Sequence, residues 1–590
     1  MVTPLAIRPR RIGSQGTFFV AASDAFPRSK LRADKVCTGT ADDVEILAAI
    51  AALPSNGGSI EFSEGTFNAS GSNFHNLDIT KSRLTLRGQG PGVTIIKAST
   101  KDRHLIGNAT ATQTHVTIRD MTLDHDAVTL GTGSFHLMRL EGIKKVWLEN
   151  LEILNSSHHG IVGLPDTASE VNSEWFLSNI YAQNIGVSGQ VGGDAIRTHF
   201  GSGNVVIQNC ILDGVELHGV HLGNHRAMLN NVIVKNSGQS ALSLQSEGQI
   251  VSNFYAEWDD ITSDLIANRP SAGTAGRWFY ATDTAAWSRD NGSAWQAEAN
   301  ITMKGLEINT RASWGKAERI VINNVKLAFA VTENETYNFN GGDAVNIDAD
   351  AGNVQINNLD IEGKFRLGIL AAPAGLKLTN FVIENVRHHG IQLGESSGTT
   401  TGFIIDNGEI TNSGQETANA AIFLHDSCRS ARISHVRTSG SNHTHGIQEN
   451  TSADNNIITD NDLNGTTTGL TKLGANTIAR NNRGSSQDDL VADPGNGNAI
   501  PVLHSSHVPL VTTAAQTRTL ADASGAGLTL DLYLKTDGGD CVVTAASPVN
   551  QAGNTIMTFA DVGDHIRLTS IEDGADFEWR VVANDGVALS

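Results

Sequence analysis

One pattern governs the middle of this chain: a small residue followed by an alternating aliphatic run, repeated at short intervals. It reads HHGIVGL (158–164), GDAIRTH (193–199), LHGVHLG (217–223), QSALSLQ (239–245), GDAVNID (342–348), RLGILAA (366–372), HHGIQLG (388–394), NAAIFLH (419–425), THGIQEN (444–450) and TTGLTKL (467–473). Successive small residues lie mostly 22–25 apart, with wider steps of 31, 35 and 103. A second pattern recurs out of phase, an Asn between two β-type runs, as in LENLEIL (148–154), IQNCILD (207–213), LNNVIVK (229–235) and INNLDIE (356–362). Asn tolerates the left-handed backbone that a tight corner needs. Two or three short strands per unit leave no room for a βαβ crossover, and the Leu spacing is too sparse for a leucine-rich repeat. The pattern predicts an all-β chain built as a right-handed parallel β-helix, each coil rising about 4.8 Å.

An open coil is an exposed sheet edge and needs a cover. Residues 41–53 predict an amphipathic helix with Asp42 and Asp43 in its first turn and Val44, Leu47 and Ile50 on one face, placed to cap the first coil. The expected organisation is an N-terminal arm over 1–35 and the β-helix over 36–485. A linker follows over 486–498, then a C-terminal antiparallel meander or sandwich over 499–590. A Trp-rich insertion at 255–318 carries Trp258, Trp278, Trp287, Trp295 and Trp314. It reads as a small hairpin module, the alternative being an aromatic wall for stacking on sugars.

Charge excludes some partners. With 42 Lys and Arg against 62 Asp and Glu, the net charge of −20 repels nucleic acid phosphates. No run approaches the ~18 apolar residues of a membrane span, and no signal-peptide core opens the chain. Cys37, Cys210, Cys428 and Cys541 stand singly, which predicts neither a disulfide nor a zinc framework. No metal or cofactor is expected.

Along each repeat, the aliphatics at the first and third places after the small residue should point inward and the intervening side chains outward. The outward row is densest, and locally basic, around residues 158–226. The candidate catalytic residues there are Asp194, Arg197, His199, Glu216 and His221. The candidate substrate-binding residues are His159, His218, Ser243, Gln245, Asn346 and Asp348. Two chemistries suit this set. In uronate β-elimination, Arg197 would neutralise the carboxylate while His221 or His199 acted as base or acid. In glycoside hydrolysis, Asp194 would pair with Glu216 or Glu247. A rival cluster comprises Asp343, Asp348, His388, Glu395, His425 and Asp426.

The segment TGTADDVEILAAIAALPSNGGSIEFSEGTF, followed by the coils, resembles the pectate-lyase-like β-helix superfamily. Within it the chain is most similar to phage tailspike and polysaccharide depolymerase proteins, over residues 36–485. The resemblance implies a homotrimer located in a virion tail or outside the cell. It also implies attachment to other virion proteins through the N-terminus and a bacterial surface polysaccharide as partner. The C-terminal domain would trimerise or bind glycan. The implied activity is depolymerisation by a lyase or glycoside hydrolase. The alternatives are a non-catalytic adhesin or structural virion protein, and a bacterial extracellular lyase, hydrolase or epimerase. The polygalacturonase set and the DPHE motif of mannuronan epimerases are both absent, so no motif selects the bond-breaking step.

Overall fold

The computed structural model describes residues 16–590 other than 72–73, 101, 109–112, 131–134, 165–173, 187–192, 199–202, 225, 260, 265–266, 268, 274–276, 282–283, 285, 291–294, 299–302, 311–315, 330–341, 373–374, 395–399, 416–418, 475, 486–489, 503–504, 524 and 574–575. Two compact units result: residues 1–391 with 413–417, and residues 392–412 with 418–590.

The first unit is a right-handed parallel β-helix. Each coil gives one long, bent strand and one short strand. The long strands Val116–Asp124, Lys145–Ser156, Glu174–Ile185, Asn204–Val215, Met228–Ser237 and Ile250–Trp258 pair in parallel, each with the next. They bend because an Asn or Asp sits mid-strand with positive φ: Asp120, Asn150, Asn179, Asn209, Asn231 and Asn253 lie between 50° and 59°. The side-chain amides then ladder between coils, as where Asn150 Nδ2 donates to Asp120 Oδ1 at 2.9 Å and Asn358 Nδ2 to Asn324 Oδ1 at 2.8 Å. A second ladder, Asn155 to Asp124 and Asn184 to Asn155, marks the next corner.

The short strands carry the small-residue pattern. Ile161–Leu164, Ile196–Thr198, Val220–Leu222, Ser240–Leu244, Lys304–Ile308 and Val345–Ile347 stack in parallel register. At each start two successive residues face inward, Ala195 with Ile196 and Ala241 with Leu242, all 0% exposed. Such a break in alternation is a bend, and it explains the small residue: a Cβ on Gly160 or Gly219 would come within 2.6 Å of the next coil's carbonyl. Lys304–Ile308 lies inside the stretch expected to interrupt the repeat, yet it forms a coil strand.

A helix spans Asp43–Ala52. It buries Ile46, Ala49 and Ile50 and leaves Val44 59% exposed. The buried face is therefore rotated from the expected Val44, Leu47 and Ile50 stripe. The two aspartates face the coil on the same side, Asp42 accepting the Asn68 N–H at 2.7 Å and Asp43 the Ser70 N–H at 2.8 Å. Farther along, Trp278–Ala281, Ala286–Asp290 and Trp295–Glu298 form an antiparallel sheet. Its Arg289 is buried and donates to the Ile185 and Gly186 carbonyls of the helix corner. Trp258 belongs to the coil interior, packed on Phe329 and Phe365. Trp314 lies outside the described residues.

Within the second unit, Ile404–Thr411, Arg432–Ser439, Ile457–Thr459 and Ile478–Arg480 pair in parallel, each with the next. Two further sheets follow, with Val508, Leu532, Val543, Phe559, Ile566 and Trp579 in a shared core. Their pairing is mixed rather than antiparallel. Ser506–Val511 runs parallel to Thr529–Thr536, and Gln516–Leu520 runs parallel to Cys541–Ala545. The chain alternates between the two sheets here, so neighbours within one sheet are separated by a crossover and point the same way. Asp493, in the expected linker, is tied down by Arg518 at 2.6 Å. The four cysteines are buried and free.

Candidate active site

The bend at each short strand brings two positions to the same side: the residue before the bend, which from His159 onward precedes the small residue, and the residue three after it. Parallel register stacks each position into a column. The first column holds His75, His104, His136, His159, Asp194, His218, Ser240, Lys304 and Asp343. The second holds Arg139, Val162, Arg197, His221, Ser243, Glu307 and Asn346.

Asp194 is the hub where the columns meet. It is 0% exposed. Its Oδ1 accepts from His218 Nδ1 at 2.8 Å and from the His218 backbone N–H at 3.2 Å, and its Oδ2 lies 3.3 Å from His221 Nδ1. Arg197 Nη1 and His159 Nδ1 both stand 3.5 Å from Oδ2. Burial alone would push the Asp194 carboxyl up, but His218, His159 and the His221 hydrogen bond outweigh it and hold the group well below its ordinary value. The Asp194 amide N–H donates to His159 Nδ1 at 2.9 Å, and Arg197 Nη1 lies 3.1 Å from His159 Nε2.

Beyond His218 stands a second carboxylate, Glu307, with Oε2 3.9 Å from His218 Nε2. Glu307 accepts from Lys304 Nζ at 2.7 Å and from Ser240 Oγ at 2.9 Å. Burial raises the Glu307 carboxyl; Lys304 chiefly, with His218 and Ser240, more than offsets this and leaves it lowered. His218 thus has a carboxylate near each ring nitrogen. The side chains of Arg197, Lys304, Glu307 and His218 keep 24%, 22%, 16% and 11% of their surface open, while His221 keeps 3%.

Of the sequence candidates, Asp194, Arg197, His159, His218 and His221 converge. Ser243 follows His221 in the second column and accepts from Gln245 Nε2 at 3.2 Å. Asn346 donates to Asp343, which also holds Arg366 through two 2.8 Å bonds. Asp348 is half-buried and caps a turn by accepting the Ala349 N–H. Glu216 is buried beneath the corner glycines, where a Cβ on Gly186 or Gly193 would come within 2.4 or 2.8 Å of its Oε2. His199 and Glu395 lie outside the described residues. Sequence reasoning missed Lys304 and Glu307. Their signal was the small-residue pattern itself, Gly305 followed by Leu306 and Ile308 in KGLEI.

The histidine column continues away from Asp194. His104 Nδ1 accepts the His136 N–H at 2.8 Å, and burial, with His75 and Arg139, pushes His104 down to about 3. His136 is also pushed well below its ordinary value by burial and by the His159, His104 and His158 rings.

No known protein family and no curated protein matches the sequence. Solved structures do match. The tailspike protein of E. coli bacteriophage HK620, solved with a pentasaccharide, is 10% identical over 93% of this chain and 88% of that one, with a TM-score of 0.43. The Azotobacter vinelandii mannuronan C-5 epimerase AlgE6 A-module is 13% identical over 75% of this chain and 95% of its own, with a TM-score of 0.38. The catalytic domain of a GH87 alpha-1,3-glucanase in complex with nigerose is 14% identical over 68% of each chain, with a TM-score of 0.40. These are likenesses of a coiled β architecture; the chemistry has to be argued from this chain's own residues.

Proposed function

We propose that the chain depolymerises an acidic polysaccharide by β-elimination at the Asp194 site. One observation carries the choice of mechanism: each carboxylate is surrounded by groups that favour its ionised form, Asp194 by His218, His221 and Arg197 and Glu307 by Lys304 at 2.7 Å. A glycoside hydrolase needs one carboxylic acid kept protonated to give its proton to the leaving oxygen, and Asp194 is sealed from substrate besides. The accessible groups instead form a set suited to a uronate. Arg197 and Lys304 face the substrate carboxylate and stabilise the charge that develops as the C5 proton leaves. His218, oriented through Nδ1 by Asp194, takes that proton on Nε2. The C4–O bond breaks, a C4–C5 double bond forms, and the imidazolium returns its proton to the departing oxygen. Asp194 is a positioning residue in this scheme and His218 the catalytic base. His159 and His221 fix the Arg197 and Asp194 geometry.

We place this activity in a homotrimeric phage tailspike directed at a bacterial surface glycan, a reading supported by the sequence resemblance over residues 36–485. Light scattering of the purified chain tests the trimer. The activity is tested with acidic and neutral bacterial polysaccharides, following ultraviolet absorbance of unsaturated uronate alongside new reducing ends. Absorbance rising with reducing ends is expected. Reducing ends without absorbance would mean hydrolysis, and silence with retained glycan binding would mean an adhesin.

A further inference from the structure

The proposed reaction uses Asp194, His218 and Arg197 but gives no role to the histidines stacked beyond His159. His136 on one coil and the His158–His159 pair on the next each bring a ring nitrogen within 4.8 Å of the other two. The ring centroids are 4.9 Å apart for His136 and His158, 4.8 Å for His136 and His159, and 4.1 Å for His158 and His159. Nδ1 of His158 faces Nδ1 of His136 at 3.0 Å. One of two nitrogens so paired must be an unprotonated acceptor. At least one of the two rings thus offers a free lone pair, and an all-imidazole donor set suits zinc, copper, nickel and cobalt and gives little to calcium or magnesium. Metal–nitrogen bonds of ~2.0–2.1 Å put neighbouring ligands of a tetrahedral ion about 3.3–3.4 Å apart. The His136–His158 contact needs to open by only a few tenths of an ångström.

We propose that His136, His158 and His159 bind one divalent transition-metal ion of the zinc class, with the fourth position open to water or an anion. His159 joins the set through Nδ1, the nitrogen that accepts the Asp194 amide N–H in the metal-free chain, and leaves its Nε2 beside Arg197. The site does not depend on the β-elimination reading. A chain that binds the ion but cleaves no polysaccharide refutes that reading and leaves this one standing.

The test is a Co2+ titration of the full chain after chelator treatment, followed by displacement with Zn2+. One equivalent is expected, with the visible bands of tetrahedral cobalt, lost on zinc addition. His136→Gln and His158→Gln should each weaken binding by at least about tenfold. His435→Gln, an exposed histidine paired with Asp406 in the other unit, should change nothing. Thermal midpoints of the variants without metal check that each is folded. The proposal is overturned if no equivalent binds, or if binding survives in folded His158→Gln. It is also overturned if binding is lost in His221→Gln while persisting in His136→Gln, which would assign the ion to the Asp194 cluster.

Discussion

Replacing Asp194 with Asn tests the site at its hub. The change keeps shape but removes a fully buried charge that accepts from His218 Nδ1 at 2.8 Å and lies 3.3 Å from His221 Nδ1. Its amide can present either an oxygen or an NH2 to these partners, and the NH2 would oppose ring N–H groups or Arg197. If Asp194 orients His218 as base, the loss should approach what a positioned base contributes, a fall in kcat of about 10²–10⁴-fold, or about 2.7–5.4 kcal/mol of barrier. KM should move little, because Arg197 and Lys304 remain. Breaking a buried charge cluster from one side costs up to about 3–5 kcal/mol of stability, so denaturant midpoints must be read beside the rates. The pH dependence follows in sign. Asp194 titrates lower in the folded chain than in the unfolded one, so its stabilisation is present above about pH 4 and is lost as pH falls through the depressed folded value. The variant should lose that part of the acid limb. A folded Asp194→Asn protein that keeps more than about a third of wild-type kcat would refute the orienting role, since that is under one kcal/mol of barrier.

Three further outcomes discriminate between readings. Arg197→Ala should cut kcat/KM on a uronate polymer by about 10–100-fold, the worth of a hydrogen bond to a charged group, with a smaller effect on binding of neutral glycan; equal losses on both would remove Arg197 from carboxylate recognition. Glu307→Gln should stay within about tenfold of wild type, whereas a loss beyond about 10³-fold would move the chemistry to hydrolysis. Asn358→Ala places a Cβ-bearing residue without the amide at φ 56°. It also deletes the bond to Asn324, for a cost of about 1–3 kcal/mol in urea unfolding. Asn358→Gly, free to adopt that backbone, should cost less, and equal costs would mean that the corner backbone is not what selects Asn.

The repeat was legible because two local preferences recur along the coils. A small residue is favoured where the chain bends with two successive side chains inward, and Asn is favoured where φ turns positive. Both preferences are short-range, so Gly160, Ala195 and Gly219 announce the short strands, and Asn150, Asn209 and Asn231 the corners. Local preferences give way where tertiary contacts compete with them. The Asp43–Ala52 helix faces the coil on the side of the aspartates that reach Asn68 and Ser70. The C-terminal pairing is mixed because the strands alternate between sheets. Glu307 was passed over because sixty-odd residues separate its coil from the one before.

What the sequence alone determined is the coil: its period, its inward aliphatics, its Asn corners and the row of polar side chains that must then face outward. Which members of that row meet was decided by tertiary structure. Asp194, His218 and Glu307 are 24 and 89 positions apart in the chain, and only the parallel register of successive short strands brings them side by side. The bend at Ala195 and Gly219 then turns a second column toward the first, so Arg197 and His221 close on the same carboxylate. Glu216, read as a partner for Asp194, is instead packed beneath Gly186 and Gly193, where it occupies the place that a side chain at either glycine would need.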